Sequence, residues 1–360
     1  MIESPDSGEL TTLCEQLAGK AGATDAAGKW PEEQLRLCGE AGVYRWFLPR
    51  DVDGLAWDDA DVVRGYLALS AACLTTTFVI TQRTSACRRF AGSDNTALKG
   101  RLLRPLSTGK AYATVGISHL TTSGRHLARP RVEAVRVDGG WQLSGVVPWV
   151  TGADHAQHIL LGATIVEDGE PTTNEVLLAL PTSAEGVEVP PPFQLIGVSA
   201  SHTGMVNLKN AFVEDGMLVA GPCEQVLAAS GRGISAGGHE TSTLALGLAS
   251  AAIDYLQSEA ANRPDLDEAA TRFGAEHAEL VDELLAIARG EPACSTQELR
   301  TRANSLVLRA TQATLSAAKG AGYVAGHPAG RWCREALFFM VWSCPQPVMA
   351  ANLCELAGIE

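Results

Sequence analysis

The chain of 360 residues lacks several features that would place it in other classes of protein. None of its nine cysteines forms a CxxC pair, so neither a zinc ribbon nor a thioredoxin-like redox motif is indicated. The cysteines are odd in number and scattered, which is typical of small buried side chains in a reducing compartment. No uncharged apolar run reaches the length of a membrane span. The run from Leu67 to Ile80 contains Ser70 and three threonines, and it predicts a buried helix.

Positive charge is also scarce, because 28 Lys and Arg residues stand against 41 Asp and Glu residues, a net charge of −13. An acidic protein gains nothing from attraction to phosphate, so no nucleic-acid partner is expected. Hydrophobic residues make up 46% and charged residues 19% of the chain, which is a globular composition. The first ten residues contain acids and no apolar core of a signal peptide, so we expect a cytoplasmic protein.

The order of the predicted elements divides the chain into three parts. Helical periodicity dominates up to Thr108, and two turn sequences, Asp138-Gly139-Gly140 and Asp168-Gly169-Glu170-Pro171, then predict β-hairpins. Helices return after Gly221-Pro222. We therefore predict an α+β protein with three domains: an N-terminal helical domain (1–108), a central antiparallel, barrel-like β domain (109–225) and a C-terminal four-helix bundle (226–360).

Two segments of the β region carry the strongest local signals. Tyr112-Ala-Thr-Val115-Gly116 leads through a short polar stretch to Thr121, and Trp149-Val150-Thr151 follows the first hairpin. In this order and within an α–β–α chain, they resemble the Tyr-Ala-Leu-Thr-Glu-Pro and Trp-Ile-Thr motifs of the acyl-CoA dehydrogenase family. The resemblance extends over nearly the whole chain and implies a flavoprotein with FAD bound between the β domain and the C-terminal bundle.

The resemblance also implies the cofactor contacts. Thr151 would donate its hydroxyl to flavin N5, the atom that takes the hydride, and Trp149 would lie against the isoalloxazine ring. The alternative for these two residues is a core Trp beside a strand Thr. Val115 replaces the Thr of the family and has no hydroxyl to offer. The full set of implied contacts is Tyr112, Val115, Gly116, Thr121, Trp149, Val150, Thr151, Arg263 and Gly320.

Two of these contacts lie in the C-terminal part. Arg263 matches the Arg of the family that contacts the FAD pyrophosphate, often across a subunit interface. A cation also suits the C-terminal end of a helix, so a plain helix cap is the alternative interpretation. Gly320 matches a Gly-rich segment of the family, although Lys319 replaces the neighbouring glycine.

The family reaction needs a carboxylate that takes a proton from the α-carbon of an acyl thioester. Most members carry it where this chain has Ser343. A subset carries it at the start of the first C-terminal helix, and there Glu240 stands seven residues before Gly247. Glu240 is therefore the candidate base, and an acid favoured only by the helix dipole is the alternative. Glu335 is interpreted as a partner of Arg331 or Arg334.

His119 falls in the loop expected over the flavin, where an ordinary polar role is the alternative to a catalytic one. No group of His and Asp residues has the spacing of a metal site along the sequence, so none is predicted.

Three functions stay open at this point. The first is an FAD-dependent dehydrogenase that acts on an acyl thioester of CoA or a carrier protein, with an electron-transfer flavoprotein or oxygen as acceptor. The second is a flavin-dependent monooxygenase or oxidase on the same fold, which the missing carboxylate at Ser343 favours. The third is a flavin-free scaffold. The resemblance also implies a homodimer or homotetramer.

Overall fold

The structure is a computed structural model that describes residues 1–121, 129–230 and 239–359. Its first part is helical, as predicted. An extended residue, Cys73, divides the apolar run from Leu67 to Ile80, so this run forms parts of two helices instead of one. Five helices precede the first strand: α1 (Gly8–Ala27), α2 (Glu32–Glu40), α3 (Asp59–Ala72), α4 (Leu74–Gly92) and α5 (Thr96–Ser107).

The strands of the described residues form one open, mixed sheet with the order β6-β7-β3-β2-β4-β5-β8, and β1 lies beside β4. Both predicted hairpins, β2–β3 and β4–β5, are confirmed. The strands are β1 (Ala113–Gly116), β2 (Val132–Val137), β3 (Gly140–Thr151), β4 (His158–Glu167), β5 (Glu170–Pro181), β6 (Val187–Glu188), β7 (Thr203–Glu214) and β8 (Leu218–Glu224).

The expectation of a purely antiparallel sheet is wrong at two pairings. Both β1 and β2 run parallel to β4. The chain reverses from β2 into β3 and again before β4, so β4 returns beside β2 in the same direction. The return to helix after Gly221-Pro222 is also misplaced, since β8 runs through this pair. Gly221 has φ +92°, and a Cβ there would lie 2.5 Å from the carbonyl oxygen of Glu175.

The third part is helical again. Helix α8 is buried along most of its length, because it packs against α9, α10 and α3. None of the described helices combines the length and the apolar character that crossing a membrane requires. The remaining helices are the short α6 (Ser118–Thr121) and α7 (Val226–Ala229), then α8 (His239–Ala260), α9 (Asp267–Ala288), α10 (Thr296–Gly322), α11 (Pro328–Ala336) and α12 (Gln346–Ala357).

Helix α4 joins the three largest apolar cores among the described residues. Phe90 packs in the core beneath the sheet, Phe78 in the core of the C-terminal helices, and Ile80 in the core of the N-terminal helices. Side chains on α4 therefore lie where all three parts of the chain meet. This position is between the strands with the predicted flavin contacts, β1 and β3, and the predicted base, Glu240.

Candidate functional site

The Trp149-Val150-Thr151 segment lies at the C-terminal end of β3. Successive residues of a strand point to opposite faces, so Trp149 and Thr151 share one face. Val150 faces the core and is fully buried, which leaves only its backbone for a cofactor contact. Trp149 is 49% exposed, and the one aromatic contact of its indole is edge-on to Phe193 at 5.3 Å among the described rings. An indole this open is a ready platform for a planar ligand.

Thr151 belongs to a chain of three buried hydroxyls. Its Oγ1 lies 3.0 Å from Oγ1 of Thr203, its partner across the β3–β7 pairing, and Thr203 Oγ1 lies 2.9 Å from Ser201 Oγ. Each hydroxyl carries one proton, and two links use two of the three protons. One of the three hydroxyls therefore keeps a proton that it can donate to a partner outside the chain. When Ser201 donates to Thr203 and Thr203 donates to Thr151, that free donor is the Thr151 hydroxyl.

Tyr112 connects the two predicted flavin segments. Its phenol oxygen lies 3.5 Å from the carbonyl oxygen of Thr151, and its ring meets Trp30 edge-on at 5.3 Å. Its backbone N–H donates to Oε1 of Gln157 at 2.7 Å. Burial raises the pKa of the Tyr112 phenol well above its ordinary value, so the group stays neutral. The structure therefore brings Tyr112 and Thr151 together, as the sequence motifs suggested.

The rest of the first segment lies deeper. Val115 is buried in the sheet core. A Cβ on Gly116 would lie 2.9 Å from Val147 Cγ1, so close packing alone accounts for this glycine. Thr121 ends α6, where its hydroxyl donates to the carbonyl oxygen of Ser118 at 3.0 Å. The stretch that follows, 122–128, lies outside the described residues.

His119 is buried instead of lying open over a ligand. Its Nε2 is 2.8 Å from the carbonyl oxygen of Gly162, and burial lowers its pKa to about 4. The imidazole is therefore neutral at pH 7, with Nε2–H as donor and Nδ1 as acceptor. His119 Nδ1 and Ser118 Oγ have no hydrogen-bond partner within the described parts of the chain. Unfilled polar atoms beside the predicted flavin strand fit a segment that completes its hydrogen bonds with a polar cofactor.

Glu240 is the second residue of α8 and lines a small cavity between α3, α4 and α8. The cavity has a volume of about 10 Å³, room for roughly one water. Glu240 Oε1 lies 3.9 Å from Nη1 of Arg88, which also pairs with Asp59 at 3.2 Å. Tyr66 and Thr84 close the cavity, and their hydroxyl oxygens lie 2.6 Å apart. None of the predicted flavin contacts lines this cavity.

A second carboxyl group of the C-terminal helices has a raised pKa. Glu335 on α11 is 3% exposed, and its Oε2 lies 3.6 Å from Nε of Arg331, which makes Arg331 the partner. Arg334 pairs with Asp25 instead. Burial raises the pKa of Glu335 to about 7, although Arg331 opposes the shift. Spacing along the sequence carries no signal for this, because it follows from packing.

Arg263 and Gly320 lie near the same end of the helical bundle. Arg263 Nη1 donates to the carbonyl oxygen of Ala317 at 2.6 Å, and the guanidinium pairs with Glu259 and Asp265, each at 3.6 Å. These contacts tie the end of α8 to α10. A Cβ on Gly320 would meet no atom within 4 Å, so this glycine borders open space.

No pattern along the sequence indicates the buried cation on α4. Arg83 is 1% exposed, and its Cζ lies 3.9 Å above the ring of Tyr44. Its two terminal nitrogens have no hydrogen-bond partner among the residues described. Burial raises the pKa values of Tyr66, in the Glu240 cavity, and of Tyr112, directly before β1, and the charge of Arg83 opposes both shifts in part. Arg83 therefore lies between the two regions.

Comparison with known proteins places this geometry in a wider context. No family model matches the chain. Probable acyl-CoA dehydrogenase YngJ of Bacillus subtilis is 22% identical over 275 residues, which cover 74% of this chain and 70% of that protein. HsaA, the oxygenase subunit of a flavin-dependent monooxygenase of Mycobacterium tuberculosis, is 23% identical over 204 residues, 57% of this chain and 48% of that protein. The match to HsaA thus spans about half of its length.

Among solved structures, butyryl-CoA dehydrogenase from Megasphaera elsdenii superposes with a TM-score of 0.83 at 15% identity, over 97% of this chain and 96% of that one. The fold is therefore that of the acyl-CoA dehydrogenases, which are flavin-dependent oxidoreductases. The sequence relatives and the fold together support the acyl-CoA dehydrogenase family for this chain. The predictions of family and fold class are thereby confirmed, apart from the parallel pairings noted above. The relatives include both dehydrogenases and monooxygenases.

Proposed function

We propose that this protein is an FAD-dependent oxidoreductase that removes hydrogen from the α and β carbons of an acyl thioester. The observation that carries the proposal is the pairing at the end of β3 of an open indole, Trp149, with the end of a hydroxyl chain, Thr151. A planar ring on Trp149 would meet a hydroxyl donor on the same strand face. This is the donor arrangement that a flavin needs at its hydride-accepting edge.

FAD, when bound, would accept the hydride from the β-carbon. Thr151 would donate a hydrogen bond to its ring, and Tyr112 would hold the adjoining backbone. Glu240 would take the proton from the α-carbon. Because its cavity holds about one water, the side chains of α3 and α8 must move apart before a thioester reaches it. The cavity would then exclude bulk water around the reacting carbons.

The partners follow from the same proposal. The thioester is carried on CoA or on a carrier protein, and the electrons pass to an electron-transfer flavoprotein or to oxygen. Tyr323, Val324 and Val341 are 88%, 64% and 76% exposed. Large apolar side chains in the open favour burial between copies, so we include a homodimer or homotetramer in the proposal.

The test starts with the purified protein and its absorption spectrum. We expect a flavin band and, after denaturation, release of FAD as identified by mass spectrometry. A panel of acyl-CoA substrates of different chain length, mixed anaerobically, should bleach that band. A colourless protein that does not take up added FAD would contradict the proposal, and release of FMN would correct the cofactor.

A flavin-dependent monooxygenase is the second candidate, and two observations favour it. Ser343 offers no carboxylate at the usual position, and Glu240 is paired with Arg88 in a closed cavity. A monooxygenase receives reduced flavin equivalents from a reductase and does not require a carboxylate base. Bleaching by a flavin reductase with NADH, together with no bleaching by any acyl-CoA, would select this function over the first.

A further inference from the structure

Three side chains with metal-binding atoms meet where β3 ends and β7 begins. Asp154 Oδ2 lies 2.7 Å from Nδ1 of His202 and 3.6 Å from Nε2 of His155. One ligand atom from each of the three lies within 4.8 Å of the others. Spacing along the sequence does not reveal this group, because His202 comes from a distant segment. The pairing of Thr151 with Thr203 brings the two segments together.

The backbone and an aromatic ring hold the two segments in place. Gly152 N–H donates to the carbonyl oxygen of His202 at 3.0 Å, and His155 N–H donates to that of Gly152 at 3.1 Å. Trp30 stacks on the His155 ring at 4.4 Å with 10° between the planes, and its centroid lies 5.8 Å from that of His202. A Cβ on Gly152, whose φ is +63°, would lie 2.4 Å from the Trp30 ring, so only glycine permits this approach.

We propose that Asp154, His155 and His202 form a binding site for one divalent first-row transition metal ion, with Zn²⁺ as the best fit. Two imidazoles and one carboxylate suit such borderline ions, whereas Mg²⁺ and Ca²⁺ prefer all-oxygen sites. Bonds of about 2.0–2.2 Å around a tetrahedral ion place ligand atoms roughly 3.3 Å apart. The distances of 2.7 Å and 3.6 Å to Asp154 lie on either side of that value, and the two imidazole nitrogens lie within 4.8 Å of each other, so the side chains must draw closer together around an ion.

The surroundings agree with a cation. The side chains of Asp154 and His155 are 31% and 39% exposed, so water reaches the remaining coordination positions. The Asp154 carboxylate lies beside both rings, 3.6 Å from Nε2 of His155 and 2.7 Å from Nδ1 of His202, and supplies negative charge for a cation.

The position suggests what the ion does. It would join the end of β3 to the start of β7 and, through Trp30, to the connection between α1 and α2. Asp154 follows Thr151 by three residues and His202 directly precedes Thr203. The ion would therefore fix the two hydroxyls of the chain described above without contacting a substrate. Its role is structural and positional, and it does not depend on the proposed redox reaction.

The test uses the full protein after removal of metal with a chelator, with Zn²⁺ and Co²⁺ as probes. Calorimetric titration should show one Zn²⁺ per chain, and Zn²⁺ should raise the melting midpoint. In D154N, H155Q and H202Q we expect the Kd to rise at least tenfold, on the order of what loss of a supporting residue already causes. H158Q is the matched control, since His158 is on the next strand outside the cluster, and it should bind as the wild type does.

The location of the ion has its own readout. Co²⁺ should quench the fluorescence of Trp30, so the quenching should be largely lost in W30F while Zn²⁺ binding is kept. This comparison remains decisive if a ligand variant does not fold. The proposal is overturned if the chelated wild type takes up no ion. It is also overturned if D154N and H202Q bind Zn²⁺ like the wild type, or if Co²⁺ quenches W30F equally.

Discussion

The end of β3 and the Glu240 cavity differ in what holds their side chains in place. At the end of β3, Trp149 is exposed and Thr151 belongs to a chain of hydroxyls that strand pairing holds in place. In the cavity, Glu240 is enclosed beside Arg88, with room for about one water. The proposed flavin side of the site is thus arranged by strand pairing before any ligand binds. The proposed proton-abstracting side depends on side chains that must move.

This difference decides how firmly each half of the proposed chemistry rests on the fold. Register between two strands is hard to alter, because a shift by one residue turns every side chain to the other face. A carboxylate at the start of a helix is held by less, since its ion pair with Arg88 is 3.9 Å long. We therefore expect substitutions in the cavity to distinguish the dehydrogenase from the monooxygenase. Substitutions at the end of β3 should test both functions.

The largest effect is expected from E240Q. If Glu240 is the base, its amide cannot take a proton, and reduction of the flavin by acyl-CoA should slow by about 10²–10⁴-fold. Flavin content should stay the same. D59N is the matched control, because Asp59 lines the same cavity and pairs with the same Arg88. Stopped-flow bleaching of the wild type and both variants makes the comparison, and full turnover of E240Q would rule out this base.

The second prediction tests whether Glu335, instead of Glu240, is the base. The pKa of this carboxyl is raised from 4.5 to about 7, so the folded state binds its proton more tightly than the unfolded state does. Its contribution to stability is fully present below pH 4.5 and is lost as the pH rises through 7, at up to about 1.4 kcal/mol per pH unit. E335Q should remove this dependence yet keep the rate of flavin reduction. Urea unfolding across that pH window, beside the bleaching rate, tests both statements.

E283Q is the control of opposite sign for that experiment. Hydrogen bonds from Cys294 and Arg302 lower the pKa of Glu283, so its contribution is present above pH 4.5 and is lost as the pH falls. The difference in stability between the wild type and E283Q should therefore grow as the pH rises to about 4.5 and stay level above it, where the contribution of Glu335 is being lost. An E335Q protein that has lost flavin reduction would show that Glu335, and not Glu240, acts on the substrate.

T151V tests the end of β3, and we expect a smaller effect on the rate of flavin reduction. Valine keeps the shape and removes the hydroxyl, so one hydrogen bond to the flavin is lost and reduction should slow by roughly tenfold. T172V is the control, since the hydroxyl of Thr172 donates to the carbonyl oxygen of Ile165 at 3.0 Å and accepts from the backbone N–H of Asn174 at 3.2 Å, far from the predicted flavin contacts in the sequence. The rate of bleaching and the affinity for FAD are the measurements. A T151V rate equal to that of T172V would contradict a flavin contact at Thr151.

The smallest effect is expected at Arg83, which lies between the two regions. A buried guanidinium without hydrogen-bond partners for its terminal nitrogens contributes little, so R83M should change the free energy of unfolding by under about 1 kcal/mol. R300M gives the contrast, because Arg300 donates to Asn304 and to two backbone carbonyls, those of Phe339 and Trp342. Leaving these acceptors buried should cost about 3–5 kcal/mol. Urea denaturation curves of both variants settle the comparison.

Much of the fold could be predicted because it is encoded locally. The Asp138-Gly139 turn and the acids at the start of α2 act over a few residues, and both appear in the structure. Strand β8 was missed because Gly221-Pro222 reads as an interruption, although Gly221 is needed where the chain passes the backbone of β5. The break at Cys73 was missed because the run on both sides is equally apolar.

The candidate site was predictable only where a motif is contiguous. The resemblance implied Tyr112 and Thr151 as cofactor contacts from two such segments, and in the structure the Tyr112 phenol oxygen lies 3.5 Å from the carbonyl oxygen of Thr151. The proton affinity of Glu335 and the meeting of Asp154 with His202 arise from packing and strand pairing. No pattern along the sequence reports them. The predicted domain limits and the roles of the predicted contacts remain predictions.

The most direct test of the account is a titration of the flavin-free protein with FAD while tryptophan fluorescence is recorded, in the wild type and in W149F. The account predicts saturable quenching in the wild type, because a flavin over Trp149 accepts its excitation energy, and a clearly smaller quenching in W149F. FAD that fails to bind, or that quenches the tryptophan fluorescence of both proteins equally, would contradict a flavin at the end of β3.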